Sequence, residues 1–209
     1  MGCVTPIVEQ GGNIAKAALQ YAEWDYKVPG MQINRFCASG LESVNLSAMK
    51  IKSGWQNLVV AGGIECLSRV PIGSDGGAIA LEPKVNLISQ FVPQGIGADL
   101  IATLGGYTRK DIDSFALESH KRAANETHKV YFKSIVLLYD QSGLHIISKD
   151  ENIRSDATIE ALSVLKPYFE KMGELGYDAL AISKYSGFEI IDHVHTAGNS
   201  SAIVDGAFV

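Results

Sequence analysis

Apolar positions in the first third of the chain switch between two periods. Met31, Ile33 and Phe36 fall in a short extended, partly β-branched run, whereas Leu41, Val44, Ala48, Met49 and Ile51 recur at helical spacing. The pattern predicts a strand and then a helix, with Cys37 at the junction. Upstream, the stretch GCVTPI reads as a short extended run, and Asn13 to Ala22 as a helix with Ile14, Ala17, Ala18 and Tyr21 on one face. Val28, Pro29 and Gly30 break the chain before the Met31 strand. Gly54 ends the helix that follows Cys37, and the apolar run from Asn57 to Glu65 predicts a strand buried on both faces of a parallel sheet. Strand, helix, strand in that order predicts a right-handed crossover.

From Leu67 the texture changes to loops punctuated by glycine and proline. Thr108 to Asp111 has a capping-box pattern, followed by Ile112, Phe115, Ala116, Ser119 and Ala123 on one predicted face. A hairpin is expected around Gln141 to Gly143, and a short amphipathic helix from Thr158 that Pro167 stops. The last residues, HVHTAGNSSAIVDGAFV, return to apolar strand and glycine-rich turn chemistry. The expected division is an α/β domain over 1–66, an inserted α+β loop domain over 67–195, and a return to the first domain over 196–209. The fold class is α/β, a mixed sheet with flanking helices, and no internal repeat is evident.

Composition narrows the functional classes. A hydrophobic content of 46% with 20% charged residues is that of an ordinary globular chain. A net charge of −5 without a long basic run argues against nucleic acid as a partner. No apolar run approaches the roughly 18 residues of a membrane helix. Three cysteines, Cys3, Cys37 and Cys66, match no zinc or disulfide spacing, so a reducing compartment, the cytoplasm or an organelle matrix, is expected. The opening MGCVTP invites a myristoylation reading, but Pro6 stands where that pattern needs Ser or Thr, and a folded extended run is expected instead.

Cys37 carries the candidate chemistry. A thiolate is the nucleophile, and a helix N-terminus favours the thiolate through its partial positive charge and free amides. The same amides can hold an oxyanion formed by attack on a carbonyl, and Ala38, Ser39 and Gly40 keep the approach small. The alternative is a buried structural cysteine, the usual fate of a free thiol in a core.

Three separated motifs give the chain a family resemblance. NRFCASGLESV, then LVVAGGIECLSRVP, then HTAGNSSAIVDGA resemble the thiolases, coenzyme-A-dependent acyltransferases that make or cleave 3-ketoacyl thioesters. The stretch FVPQGIGADLIATLGGYTRKDIDSFALESHKRAA is similar to the acetyl-CoA acetyltransferase branch. The resemblance implies a partial thiolase-like fold and assigns Cys37 as the acyl-accepting nucleophile, with its own N–H in an oxyanion hole. It implies that Ala197, Gly198 and Ser201 line the pantetheine of coenzyme A and that Arg154 lies near its nucleotide end, where a guanidinium suits phosphate or adenine. The reading of Arg154 as a solvated arginine in a charged loop stands beside that one. Coenzyme A and acyl-CoA are expected as substrates, with no covalently held cofactor and no metal. Two positions depart from the pattern: Pro93 and Gln94 replace a His-Met pair often found before the glycine that aligns with Gly95, and Ala202 replaces a glycine.

The resemblance also implies a second half. Thiolases resemble two similar α/β halves packed face to face, and the second brings Asn-Glu-Ala-Phe, Gly-His-Pro and Cys-x-Gly-Gly-Gly motifs that this sequence does not contain. The chain is expected to begin inside the first half and to end near the start of a further strand. None of His120, His128, His145, His193 and His195 matches the family's catalytic histidine. His193 and His195 share one face of a strand, a metal-pair spacing without a third ligand, and structural hydrogen bonding is the preferred role. An incomplete sheet exposes apolar faces, so a homo-oligomer or a partner chain supplying the missing half is expected. Two functional readings follow: the nucleophile-bearing portion of an acyltransferase, or a truncated, non-catalytic protein that binds acyl-CoA or a partner. A redox-sensing cysteine is a third class, with no resolving cysteine nearby in sequence and Cys66 as a candidate to approach in space.

Overall fold

The structure is a computed structural model that describes residues 1–128, 131–185 and 187–209. In chain order the elements are a 3-10 turn at Val8–Gln10, α1 (Ile14–Tyr21), α2 (Ser39–Lys52), β1 (Gly63–Cys66), α3 (Ala78–Leu81) and α4 (Pro83–Ser89). They continue with α5 (Gln94–Gly105), α6 (Arg109–His128), β2 (Leu138–Tyr139), β3 (His145–Ile147), α7 (Ile159–Ser163), α8 (Glu170–Met172), α9 (Asp178–Ile182) and β4 (Asp205–Phe208). The chain divides into two compact units, residues 1–86 with 203–209, and residues 87–202.

In the first unit, four extended runs lie side by side. Gly2 bridges Ile33 on one side and Gly63 on the other, both parallel, and β1 pairs with β4 antiparallel, with Gly63 opposite Phe208. Gly2 N–H donates to the Gly62 carbonyl at 2.8 Å and Cys3 N–H to that of Ile33 at 3.0 Å. The predicted strand over Asn57 to Glu65 is regular only from Gly63, and Leu58 before it is exposed. An apolar run shows that a segment wants cover, but a ladder forms only where a neighbouring backbone supplies it. An apolar cavity of about 520 Å³ lies beside these runs, lined among others by Trp24, Met31, Ile33, Leu46 and Val59.

Helix α2 turns the opposite face to the one its periodicity suggests. Ser39 and Ser43 are buried, while Leu41, Val44, Met49 and Ile51 are exposed, Leu41 at 66% and Met49 at 54%. Ser43 Oγ donates to the Gly62 carbonyl at 2.8 Å, so short hydroxyl side chains bring the helix close to the β1 run. Gly40 serves the same approach: a Cβ there would stand 2.6 Å from the ring of Phe208. The apolar stripe is left facing out.

The second unit is built around Ile96 and Leu100 of α5, Ala181 of α9 and Ile191, with Phe169 and Met172 against them. The capping box at α6 forms as expected, Thr108 N–H donating to Asp111 Oδ2 at 2.8 Å and Asp111 N–H to Thr108 Oγ1 at 3.3 Å. The inward stripe of α6 is displaced from the expected one: Asp113 and Ala124 are buried and Phe115 is exposed. Polar anchoring rotates the helix, because Asp113 accepts from Arg109 Nε at 2.9 Å and from Asn199 Nδ2 at 2.8 Å. The hairpin forms with β2 and β3 antiparallel, closed by Asp140, whose Oδ1 accepts from the amides of Ser142 and Leu144. Thr158 caps α7 through Oγ1, which accepts from Ala161 N–H at 3.2 Å. Among the described residues, no helix is long and apolar enough to cross a membrane.

Candidate active site

Cys37 sits two residues before α2, at the end of a tight elbow. Phe36, immediately before it, has a φ of 50°, in the left-handed region that bulky side chains rarely enter. The turn is held from both ends. Asn34 Oδ1 accepts from Phe36 N–H at 2.9 Å, while Asn34 Nδ2 donates to the Val4 carbonyl at 2.9 Å. Ser39 Oγ accepts from Arg35 N–H at 2.8 Å and donates to the Phe36 carbonyl at 2.6 Å. Arg35 also pairs with Glu42 at 2.5 Å across the first helical turn, an exposed contact worth little by itself.

This geometry leaves the Cys37 thiol exposed and unbonded to another sulfur, so it is not packed in a core. Among the described residues, the Cys37 N–H donates to no group of the chain. The sulfur is therefore open to a ligand, with a free amide on the same residue. Cys3 differs in every respect: it is buried, and burial first and the neighbouring Glu65 second push its thiol up to about 11.

Glu65 on β1 organises the N-terminal run. Its carboxylate accepts from the amides of Val4 and Thr5 and from Gln10 Nε2, and Gln10 Oε1 accepts from Cys66 N–H at 2.6 Å. Sequence reading did not single out Glu65, although a lone acid directly after an apolar run was the available signal.

In the second unit, the Gly-Asn-Ser segment forms a closed turn. Thr196 N–H donates to Asn199 Oδ1 at 2.7 Å, Gly198 N–H to Thr196 Oγ1 at 3.2 Å, and Asn199 Nδ2 to the Val194 carbonyl at 3.1 Å. Gly198 faces inward, and a Cβ on it would stand 2.6 Å from methyl groups of both Leu162 and Leu165. Ala197 and Ser201 are exposed. Arg154 is exposed as well, its N–H donating to His120 Nδ1 at 3.2 Å, and its guanidinium meets no carboxylate among the described residues.

The approach to the turn is fixed by Asp99, a residue the sequence reading passed over. Asp99 is fully buried, and its Oδ1 accepts from the amides of Val194 and His195, each at 3.0 Å. A single acid inside the apolar stretch GIGADLIATLG was the signal available.

The family model for the thiolase N-terminal domain matches residues 1–177. The chain belongs to the thiolase family. A 3-ketoacyl-CoA thiolase of Bacillus subtilis is 31% identical over 219 residues, covering 99% of this chain and 51% of that protein. A 3-ketoacyl-CoA thiolase of Escherichia coli is 31% identical over 212 residues, covering 99% of this chain and 49% of that one. The dimeric peroxisomal thiolase of Saccharomyces cerevisiae superposes with a TM-score of 0.76 at 27% identity, over 99% of this chain and 48% of the yeast one. This thiolase-family chain thus spans about half the length of the curated relatives it matches. Its fold is the α/β thiolase-like fold in part, helices with small sheets, as the three motifs imply. Within it, the elbow that carries Cys37 belongs to the first unit, and Arg154, Ala197, Gly198 and Ser201 belong to the second.

Proposed function

We propose that the chain is a thiolase-type acyltransferase, or the nucleophile-bearing portion of one, in which Cys37 accepts an acyl group from an acyl thioester. The Cys37 thiolate attacks the thioester carbonyl, the carbon–sulfur bond to coenzyme A breaks, and coenzyme A leaves as a thiolate that takes up a proton. The acyl group then passes to coenzyme A or to an acetyl-CoA carbanion. The single observation that carries this reading is the exposed thiol at the elbow that leads into α2, held open by a left-handed Phe36. The free Cys37 amide supports a part in the oxyanion hole, worth a factor of roughly a hundred or more in rate where such donors have been removed. Coenzyme A is the substrate in this reading, with the exposed Ala197 and Ser201 beside its pantetheine, Gly198 shaping the turn, and Arg154 near its nucleotide end.

The proton that the Claisen step removes needs a base with a pKa near working pH, which family motifs absent from this sequence supply elsewhere. The outward apolar stripe of α2 supports a covering surface, either a second copy or a chain bearing the other half. The same stripe favours the second reading, a non-catalytic thiolase-like protein that binds acyl-CoA or a partner. A compartment rich in acyl-CoA, the cytoplasm or an organelle matrix, fits either one.

Intact-mass spectrometry after incubation with acetyl-CoA separates them. A gain of about 42 Da, one acetyl group, on wild type but not on Cys37→Ser is expected for the nucleophile. Folded wild-type protein that gains no mass refutes the first step in this chain and favours the binding reading.

A further inference from the structure

The second unit contains a buried ionisable cluster for which the acyl-transfer reading has no use. Asp99 of α5 is its centre. Besides the two amides it holds, its Oδ1 accepts from His195 Nδ1 at 2.7 Å, and its Oδ2 lies 2.8 Å from His193 Nδ1. The other ring nitrogen of His193, Nε2, lies 3.0 Å from Oδ2 of Asp178 at the start of α9. The His193 side chain is only 10% exposed.

With both carboxylates ionised, donor counting sets the protonation state of the ring. An ionised carboxylate only accepts, so a ring with a carboxylate oxygen on each nitrogen must donate from both, and only the imidazolium does so. A neutral ring would set a lone pair against one of the two oxygens. Asp178 has no other donor among the described residues, since its Oδ1 is already buried without a partner. Burial works against the charged ring, but the bonds to Asp99 and Asp178 outweigh it and hold His193 above the ordinary histidine value. Asp192 and His195 lie on the same segment. Tyr107 and, at the start of α6, Arg109 line a cleft together with His193, and the Arg109 guanidinium is taken up by Asp113.

The Asp99 end of the cluster bears directly on the segment that leads into the turn. The Asp99 amide contacts fix Val194 and His195, the His195 carbonyl accepts from Tyr168 N–H at 2.9 Å, and the chain enters the Thr196–Asn199 turn directly afterwards. We propose that His193 is a proton-dependent clasp: protonated, it ties α9 to α5 and holds the turn in place, and on losing its proton it releases Asp178 and loosens the turn. The clasp does not depend on what the turn binds.

The direction with pH follows. The folded value is raised above the unfolded value of 6.5, so the stabilisation is complete below 6.5 and is lost as pH rises through the folded value. The test uses the whole chain, with the His193 ring followed by NMR and amide hydrogen exchange read at Val194, His195 and Thr196. The ring is expected to titrate above 6.5, and protection at these amides to fall about tenfold across that titration. In His193→Gln, which keeps a donating amide group and does not titrate, protection is expected to be independent of pH over the same range. A wild-type ring titrating at or below 6.5, pH-independent wild-type protection, or a wild-type pH profile in His193→Gln would each overturn the clasp. If His193→Gln does not fold, the wild-type titration and protection profile still decide.

Discussion

Ser39→Ala tests how the elbow under Cys37 is held. Ser39 is 3% exposed, and its hydroxyl makes two bonds within one turn, accepting from Arg35 N–H and donating to the Phe36 carbonyl. Alanine removes both. Two ordinary hydrogen bonds contribute about 2 kcal/mol, and leaving the Arg35 amide unpaired in a partly buried turn adds about 1 kcal/mol. The better helix propensity of alanine at the first position of α2 offsets about 0.5 kcal/mol of this. A net loss of about 2.5 kcal/mol is expected. Urea unfolding followed by tryptophan fluorescence reads the right unit, because Trp24 and Trp55 both lie in residues 1–86. With a slope of about 2 kcal/mol per molar, the midpoint should fall by about 1.2 M. Phe36 supplies the internal control. Its ring is 64% exposed, so Phe36→Gly gives up little burial while removing about 1 kcal/mol of left-handed strain, and it should recover part of the Ser39→Ala loss. A midpoint unchanged to within about 0.2 M in Ser39→Ala, or a further loss in the double variant, would refute the account of a strained elbow clamped by Ser39.

Two other outcomes follow from the buried acids and the buried thiol. Asp99→Ala should cost about 3–5 kcal/mol, because it strips the partner from a buried protonated ring and from two backbone amides; hydrogen exchange across residues 87–202 checks it, and a loss under about 1 kcal/mol would contradict the assignment. Cys3 should make the first unit alkali-sensitive. Its thiol is raised from 9.0 to about 11, so its contribution is intact below 9.0 and is lost as pH rises toward 11, by up to about 1.4 kcal/mol per pH step. Urea midpoints taken at about pH 8 and about pH 10 should fall more in wild type than in Cys3→Ala, and equal falls would show that Cys3 carries none of this sensitivity.

Local chemistry was legible in the sequence wherever a few consecutive residues decide the outcome. The capping box of Thr108 and Asp111, the short helix from Thr158, the hairpin around Gln141 to Gly143 and the helix from Asn13 all form where the pattern placed them, because each closes its bonds within about four residues. The helix start just after Cys37 belongs to this class, whereas the strand expected from Met31 does not form as a regular element and bridges the Gly2 run at Ile33, because its pairing depends on a distant segment. The three motifs that imply the thiolase family are likewise a property of the sequence.

Tertiary structure decided which face of each element is covered. Periodicity identified an apolar stripe on α2, but contact with the β1 run selects the serine face, because Ser43 reaches the Gly62 carbonyl and Gly40 admits Phe208. On α6, Asn199, 86 residues from Asp113, helps rotate the helix and leaves Phe115 outside. The double carboxylate clamp on His193 joins residues 94 and 15 positions away along the chain, and no local pattern encodes such a meeting. A hydrophobic period records that a face should be buried. What packs against it, and which polar group is drawn inward by a distant partner, is fixed only when the remote segments come together.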